Sequence, residues 1–176
     1  KKLEVVLQEK IFTPLAMKKT YIYLRSQPIE KNKLPISTMM LRDKNVTGFK
    51  SISADWAGGG LISTTEDLLL FHQALIGGKL IQKKTYLSLA GNHKFMDGIY
   101  YGQGLMTVRF GDMSSLMPTT PDLFGHSGLL STLLFYSPEY DTHIIMNLGS
   151  TEDVGDSFEL MFWIMQDLKQ MYNLKK

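Results

Sequence analysis

The sequence predicts an α+β fold, helical and loop-rich over residues 1–98 and an antiparallel sheet covered by a C-terminal helix over residues 99–176. Three observations carry this. A helix-capping pattern at 63–66 opens a segment of apolar residues at helical spacing. From about residue 99 the hydrophobic period becomes strand-like. At the end Phe158, Met161, Met165, Leu168 and Tyr172 return to i+3/i+4 steps. Helices, then antiparallel strands, then a helix that lies on them form one α+β domain. A chain of 176 residues can bury roughly 70% of its unfolded surface, enough for one real core.

Leu3, Val6, Leu7 and Ile11 predict an amphipathic helix over 2–12, stopped by Pro14, because the residue before a proline is driven out of the α region. Residues 13–60 lack a sustained period and carry Pro28, Pro35 and three successive glycines at 58–60. Such a length of loop is expected to be functional or tied down, with a short strand or two.

Ser63-Thr-Thr-Glu66 then reads as a capping box, with Asp67 adding charge where the helix dipole favours it. Leu68, Phe71 and Leu75 beside Leu69, His72 and Ile76 give two adjacent apolar rows, closed by Gly77-Gly78. A shorter helix is expected over 82–90, ending at Gly91. Strands are expected over 101–110, 129–136 and 142–148. Ser137-Pro-Glu-Tyr-Asp141 should turn the last two into an antiparallel hairpin. In the final helix Leu160, Phe162 and Ile164 widen the apolar stripe. Three strands are few for so apolar a helix, so strands are expected to be missing. An exposed edge would then drive self-association.

Nineteen basic against seventeen acidic residues give a net charge of +2, too small and scattered for a nucleic-acid footprint. Lys1-Lys2 and Lys175-Lys176 read as solvated termini. With no cysteine there is neither a disulfide framework nor a thiolate zinc site. No apolar run reaches the roughly 18–20 residues of a membrane span. The chain opens at Lys1 directly into a helical pattern, without Met or a signal segment, and reads as a fragment.

Common catalytic patterns fail on single residues. Gly125-His-Ser-Gly-Leu129 has leucine where a nucleophile elbow needs glycine. Gly78-Lys79 has Gln73 and Leu80 where a phosphate loop needs glycine and a hydroxyl. His72, His93, His126 and His143 show no metal-ligand spacing; His72 reads as a satisfied, partly buried helix residue and His143 as a sheet-surface side chain. Glycines 58–60 read as a close backbone approach rather than an anion site, and Met39-Met40 as packing. His126 and Ser127 are neighbours on a strand and point to opposite faces, so they do not form a base–nucleophile pair.

One ordered constellation remains. Ile11-Phe-Thr-Pro-Leu-Ala-Met-Lys-Lys-Thr20 comes first, followed by Asp55-Trp-Ala-Gly-Gly-Gly-Leu-Ile-Ser-Thr64 with Glu66-Asp67-Leu68. Phe124-Gly-His-Ser-Gly128 comes last, leading through Ser137-Pro138-Glu139 to a strand that ends at Asn147. From about residue 3 to about 170 the chain resembles the β-lactamase-related serine hydrolases, which include class C β-lactamases, D-alanyl-D-alanine carboxypeptidases, esterases and D-aminopeptidases. The resemblance implies a partial β-lactamase/transpeptidase-like fold. It also implies a [KH]-[ST]-G triad on an edge strand, here His126-Ser127-Gly128. His126 and Ser127 would then donate hydrogen bonds to substrate or to the family's tyrosine, Gly128 would keep the strand clear, and the Leu129 N–H would be one oxyanion-hole donor.

The departures bear on activity. No serine is followed three places later by lysine, and there is no Y-x-N. The nucleophile and base of the family are therefore expected upstream of Lys1, and this chain alone is expected not to form an acyl-enzyme. Ala16 replaces a usual glycine, and Ser131 another, which would narrow the cleft. Three alternatives follow: part of an active hydrolase acting on a small peptide, ester or β-lactam; a non-catalytic domain binding peptidoglycan-like peptides or a protein; and one half of a split enzyme. No cofactor is expected. The resemblance implies a periplasmic, cell-envelope or secreted setting.

Overall fold

A computed structural model of the chain describes residues 1–31, 34–113 and 119–173. Lys175 and Lys176, expected as a solvated terminus, lie outside the described residues. The chain divides into two compact units, Lys1–Lys83 and Lys84–Lys176.

In the first unit, α1 (Leu3–Leu7) continues into one wider π turn, Gln8–Phe12, with the Thr13 amide bonded to the Gln8 carbonyl at 3.0 Å. The expected helix over 2–12 is thus present, its last turn opened one residue before Pro14. Phe12 is buried. Ala16, the residue that stands for a usual glycine, has φ +57°, in the left-handed region that glycine enters without steric cost.

Within 13–60, β1 (Tyr21–Ile22), the short hairpin of β2 (Met40–Leu41) and β3 (Lys44–Asn45), and a 3₁₀ segment (Lys50–Gly58) replace a plain loop. β4 (Leu61–Ile62) pairs antiparallel with β1, Tyr21 opposite Ile62. Of the three glycines only Gly60 is held to glycine by backbone contact; Gly58 and Gly59 face the flexible end of the Asp55 side chain. A Cβ on Gly58 or Gly59 would sit 2.8 or 2.5 Å from an Asp55 carboxylate oxygen, and one on Gly60 would sit 2.9 Å from the Trp56 backbone. The close-approach expectation is met, with a carboxylate against the run.

α2 (Thr65–Ile76) begins one residue later than the capping box placed it. Thr64 is the cap, its Oγ1 accepting the Asp67 amide at 3.3 Å. Asp67, only 5% exposed, serves as more than a first-turn charge. Its Oδ2 accepts the Lys19 amide at 2.8 Å and the Thr20 hydroxyl at 2.7 Å. Since the one proton of Thr20 goes to Asp67, the Ser63 hydroxyl donates to Thr20 Oγ1 at 2.8 Å. One buried carboxylate therefore ties the 11–20 block to the start of α2. His72 is buried on this helix, more deeply than expected.

In the second unit, α3 (Lys83–Leu89) precedes a six-stranded antiparallel sheet. Its strands are β5 (His93–Met96), β6 (Ile99–Tyr101), β7 (Met106–Val108), β8 (Leu123–Ser127), β9 (Thr132–Ser137) and β10 (Thr142–Asn147). They lie side by side in chain order, so the sheet is a meander. The expected strand over 101–110 is in fact a hairpin. Gly104 at φ +76° and a Gly102 N–H to Leu105 carbonyl bond of 2.9 Å turn the chain between β6 and β7. Short α4 (Phe110–Met113) follows β7. The strand expected over 129–136 begins instead at Thr132, because 128–131 is a turn. Six strands in place of three remove the argument that too few strands meet the covering helix.

That helix, α5 (Val154–Asn173), buries Met161 and Met165 completely, with Phe158, Phe162, Ile164 and Leu168 beside them. They pack with Val108, Phe110, Leu123, Leu133, Phe135 and Ile144 into the core of this unit. Leu160, expected to widen the stripe, is exposed; it falls off the Met161–Met165 face by the 3.6-residue period. Among the described residues no helix is long and apolar enough to cross a membrane.

Removing the Asp67 carboxylate leaves a buried hydroxyl and a backbone N–H without their acceptor. Asp67→Ala should therefore cost about 2–4 kcal/mol in urea unfolding. Thr64→Ala, which removes only the cap, should cost about 1 kcal/mol. Equal costs for the two would show that Asp67 matters only as a helix-terminal charge.

Candidate functional site

The block 124–128 lies on β8, whose pairing explains how a triad can be both anchored and accessible. On one side β8 pairs with β7 over Leu123, Phe124 and Gly125 only. On the other it pairs with β9 through Ser127, with His126 opposite Leu134 and Ser127 opposite Leu133. β8 is therefore an interior strand, not the edge strand expected, and only its last two residues overhang β7. The overhang exists because the Gly102–Leu105 bond turns the chain before Met106.

Gly125 sets the seat of this strand. A Cβ there would lie 2.0 Å from the Leu134 carbonyl oxygen and 2.7 Å from Phe135 Cα. Two residues on, the chain leaves the sheet in a hairpin tip. The Gly128 amide donates to the Thr132 carbonyl (2.7 Å), and the Ser131 amide to the Gly128 carbonyl (3.1 Å). With Ser131 at φ +57°, this is a hydrogen-bonded turn closed by a left-handed residue, a three-residue hairpin loop.

The end of β10 and the chain beyond it hold the tip. Asn147 Nδ2 donates to Thr132 Oγ1 at 2.6 Å and to the Leu130 carbonyl at 3.3 Å. The Gly149 amide reaches the Leu130 carbonyl at 3.1 Å. Ser131 Oγ donates to the Ser150 carbonyl at 2.6 Å. Ser131 is fully buried, so it does not narrow a cleft; its hydroxyl stabilises a backbone conformation that a β-carbon makes costly. Gly128 and Leu129 are exposed at the tip, and among the described hydrogen bonds none engages the Leu129 N–H. A fixed, unengaged amide at the surface of a pinned turn is the kind of donor that stabilises developing negative charge without reorganising.

His126 and Ser127 have separate environments, as the strand alternation requires. Ser127 Oγ lies 3.9 Å from the buried Met106 sulfur. His126 Nδ1 is 2.6 Å from the Ser127 carbonyl oxygen, and Nε2 is hydrogen-bonded to the Tyr101 hydroxyl. The two rings meet edge to face, their centroids 5.5 Å apart. The pair is no base–nucleophile couple, and neither side chain is aimed at the other. Tyr101 was read only as the start of a strand. Nothing local marks it, since it lies 25 residues from His126 and reaches it only through the register Tyr101–Met106–Gly125.

The other histidine of the sheet, His143 on β10, is half-buried against the Tyr136 ring at 5.0 Å, and burial lowers its pKa. Tyr136 in turn donates to Asp141 at 2.8 Å, and its pKa is raised by burial and by that bond. Among the described residues no group of three His, Asp or Glu side chains is placed to hold a metal ion.

A family model described as Beta-lactamase matches residues 1–160. The fold is similar to D-amino acid amidase from Ochrobactrum anthropi SV3, solved with L-phenylalanine amide. The TM-score is 0.71 at 19% identity, over 100% of this chain and 54% of that one. It is also similar to a D-stereospecific amidohydrolase from Streptomyces sp. (TM-score 0.62, 21% identity, 86% of this chain, 45% of that one). A penicillin binding protein from Bacillus halodurans matches with a TM-score of 0.57 at 16% identity, over 90% of this chain and 49% of that one. The chain thus spans about half the length of these proteins, and its helices and antiparallel sheet make a partial β-lactamase/transpeptidase-like fold. No curated protein matches the chain.

Ser131 separates two effects. Ser131→Ala keeps the left-handed backbone and removes the bond to Ser150, so about 1–2 kcal/mol of stability should be lost. Ser131→Gly loses the same bond but relieves the backbone, and should come within about 0.5 kcal/mol of the wild type. Thermal unfolding of both variants checks the order; Gly below Ala would refute the assigned strain.

Proposed function

Because the chain belongs to the β-lactamase family, we propose that it forms the C-terminal part of a serine hydrolase of the β-lactamase/D-alanyl-D-alanine carboxypeptidase type. In this reading residues 126–129 line the substrate cleft. The observation that carries it is the pinned tip at 128–131, with an exposed glycine and an unengaged Leu129 amide beside a His-Ser-Gly sequence. Support for amide chemistry comes from the amidase and amidohydrolase among the structures that share the fold.

The reaction needs a serine oxygen that attacks a carbonyl carbon. A C–O bond forms as the serine O–H gives its proton to the upstream base, which later passes it to the leaving group; the carbonyl oxygen takes the negative charge, and that charge is met by the Leu129 N–H together with a second donor. Such a donor contributes about 3–4 kcal/mol in well-studied hydrolases. Collapse of the intermediate breaks the C–N or C–O bond of the substrate, the leaving group takes a proton, and water then hydrolyses the acyl-enzyme. The chain contains no S-x-x-K and no Y-x-N. The nucleophile and its base are therefore assigned to an upstream part of the polypeptide, and this chain by itself is inactive. Gly128 leaves room for a substrate strand beside β8. The substrate is a small peptide, ester or β-lactam, and the setting is the cell envelope or the space outside it.

Labelling with a fluorescent penicillin tests this, using the chain alone and a polypeptide extended upstream to include S-x-x-K and Y-x-N. Only the longer polypeptide should be labelled. Labelling of the short chain would show that it holds its own nucleophile, and labelling of neither would overturn the penicillin-reactive reading.

A second reading, a non-catalytic domain that binds a peptide or another protein chain, is favoured by the sheet's unequal edges. β5 carries Lys94, ion-paired with Asp97 just past the strand, and a break in register, both of which protect an edge. β10 offers six residues without Asp, Glu, Lys or Arg. If this edge accepts strands, the chain should self-associate in sedimentation at rising concentration and Ile145→Lys should abolish it. A wild-type monomer throughout would remove the edge-binding reading.

A further inference from the structure

We propose that Tyr101 is a positioning residue for His126. Its hydroxyl holds the imidazole in one tautomer and one orientation, leaving the phenol oxygen, not a ring nitrogen, as the open polar atom of the pair. The inference rests on the reading of 126–129 as a cleft wall and gives that wall its chemistry.

The Ser127 carbonyl oxygen can only accept, so His126 Nδ1, 2.6 Å away, must carry a proton. A neutral imidazole has a single N–H, which makes Nε2 an acceptor. The group bonded to Nε2 is the Tyr101 hydroxyl, and in this tautomer the phenol is the donor. Both ring nitrogens are then engaged. The edge-to-face contact of the rings, at 88° between planes, fixes the orientation by packing as well.

Two consequences follow for the cleft. His126 has no free lone pair with which to take a proton from a nucleophile, so it acts by shape and by holding Tyr101. The Tyr101 oxygen has given up its proton-donating direction to His126 but keeps acceptor capacity, which suits a substrate N–H or ammonium better than a carboxylate. Tyr101 reaches this position because β6 and β8 flank β7 and because the β8 overhang frees His126 from pairing with β7.

Two-bond ¹⁵N–¹H correlation spectra of the ¹⁵N-labelled chain at about pH 8, above the ordinary histidine range, test the assignment. In the wild type His126 should show a protonated Nδ1 and a pyridine-type, hydrogen-bonded Nε2. In Tyr101→Phe, which keeps the ring and removes the hydroxyl, the Nε2 resonance should shift towards that of an unbonded nitrogen while His93 and His143 stay in place. A wild-type Nε2 that carries the proton overturns the proposal, as does an Nε2 unmoved in Tyr101→Phe. Should that variant fail to fold, His126→Leu in a fluorotyrosine-labelled chain reads the bond from the other side. The Tyr101 fluorine signal is expected to shift, and an unmoved signal overturns the proposal. The spectra need neither nucleophile nor turnover, so their failure leaves the penicillin-labelling result standing, and failed labelling leaves the tautomer intact.

Discussion

The second unit depends on the fit of Gly125 against the backbone of β9. A methyl group at this position would stand 2.0 Å from the Leu134 carbonyl, so only glycine lets β8 take its place in the ladder. That register brings Leu123 into the core beside Phe135 and Leu133, and it lets His126 and Ser127 run past the end of β7. The strand is rigid where it is paired on both sides and accessible where it is paired on one. In the proposed cleft, precision would come from the first property and substrate contact from the second.

The tip beyond Ser127 is stiffened in the same way, by neighbours distant in sequence. Asn147, Gly149 and Ser150 hold the carbonyls and hydroxyls of 130–132, and Ser131 accepts an unfavourable backbone angle in return for a buried hydrogen bond. In the first unit Asp67 does comparable work from the inside. Its carboxylate joins an irregular segment to a helix through two short bonds, which is why a stretch with little regular structure of its own can keep a defined path.

What could be read from the sequence was what depends on neighbours within a turn or two. The apolar spacing of α5, the polar start and glycine end of α2, and the Ser137–Asp141 turn between β9 and β10 are local, and each stands close to its expected place. β5 and the division of 99–108 into two strands were not legible. Their strands are three or four residues long, too short for a period, and glycines interrupt them. β8 was hidden because Gly125 and His126 spoil the alternation, although the glycine is what the strand needs. The cap stands at Thr64 and not at Ser63, whose hydroxyl is bonded to Thr20, a long-range partner that no capping pattern encodes. His126, Ser127, Gly128 and Leu129 were legible as a motif. Tyr101 was not, since it joins them only through the β6–β7 and β7–β8 registers.

The claim on which the functional account turns is that the Leu129 amide meets the charge formed on a substrate carbonyl. The direct measurement replaces that amide with an ester, by incorporating the α-hydroxy analogue of leucine at position 129 in the polypeptide that carries S-x-x-K and Y-x-N. The side chain and tip geometry are kept, and one N–H is removed. The account predicts that kcat falls about 10²–10³-fold while KM changes little. An unchanged kcat would contradict it and would take the oxyanion role away from this turn.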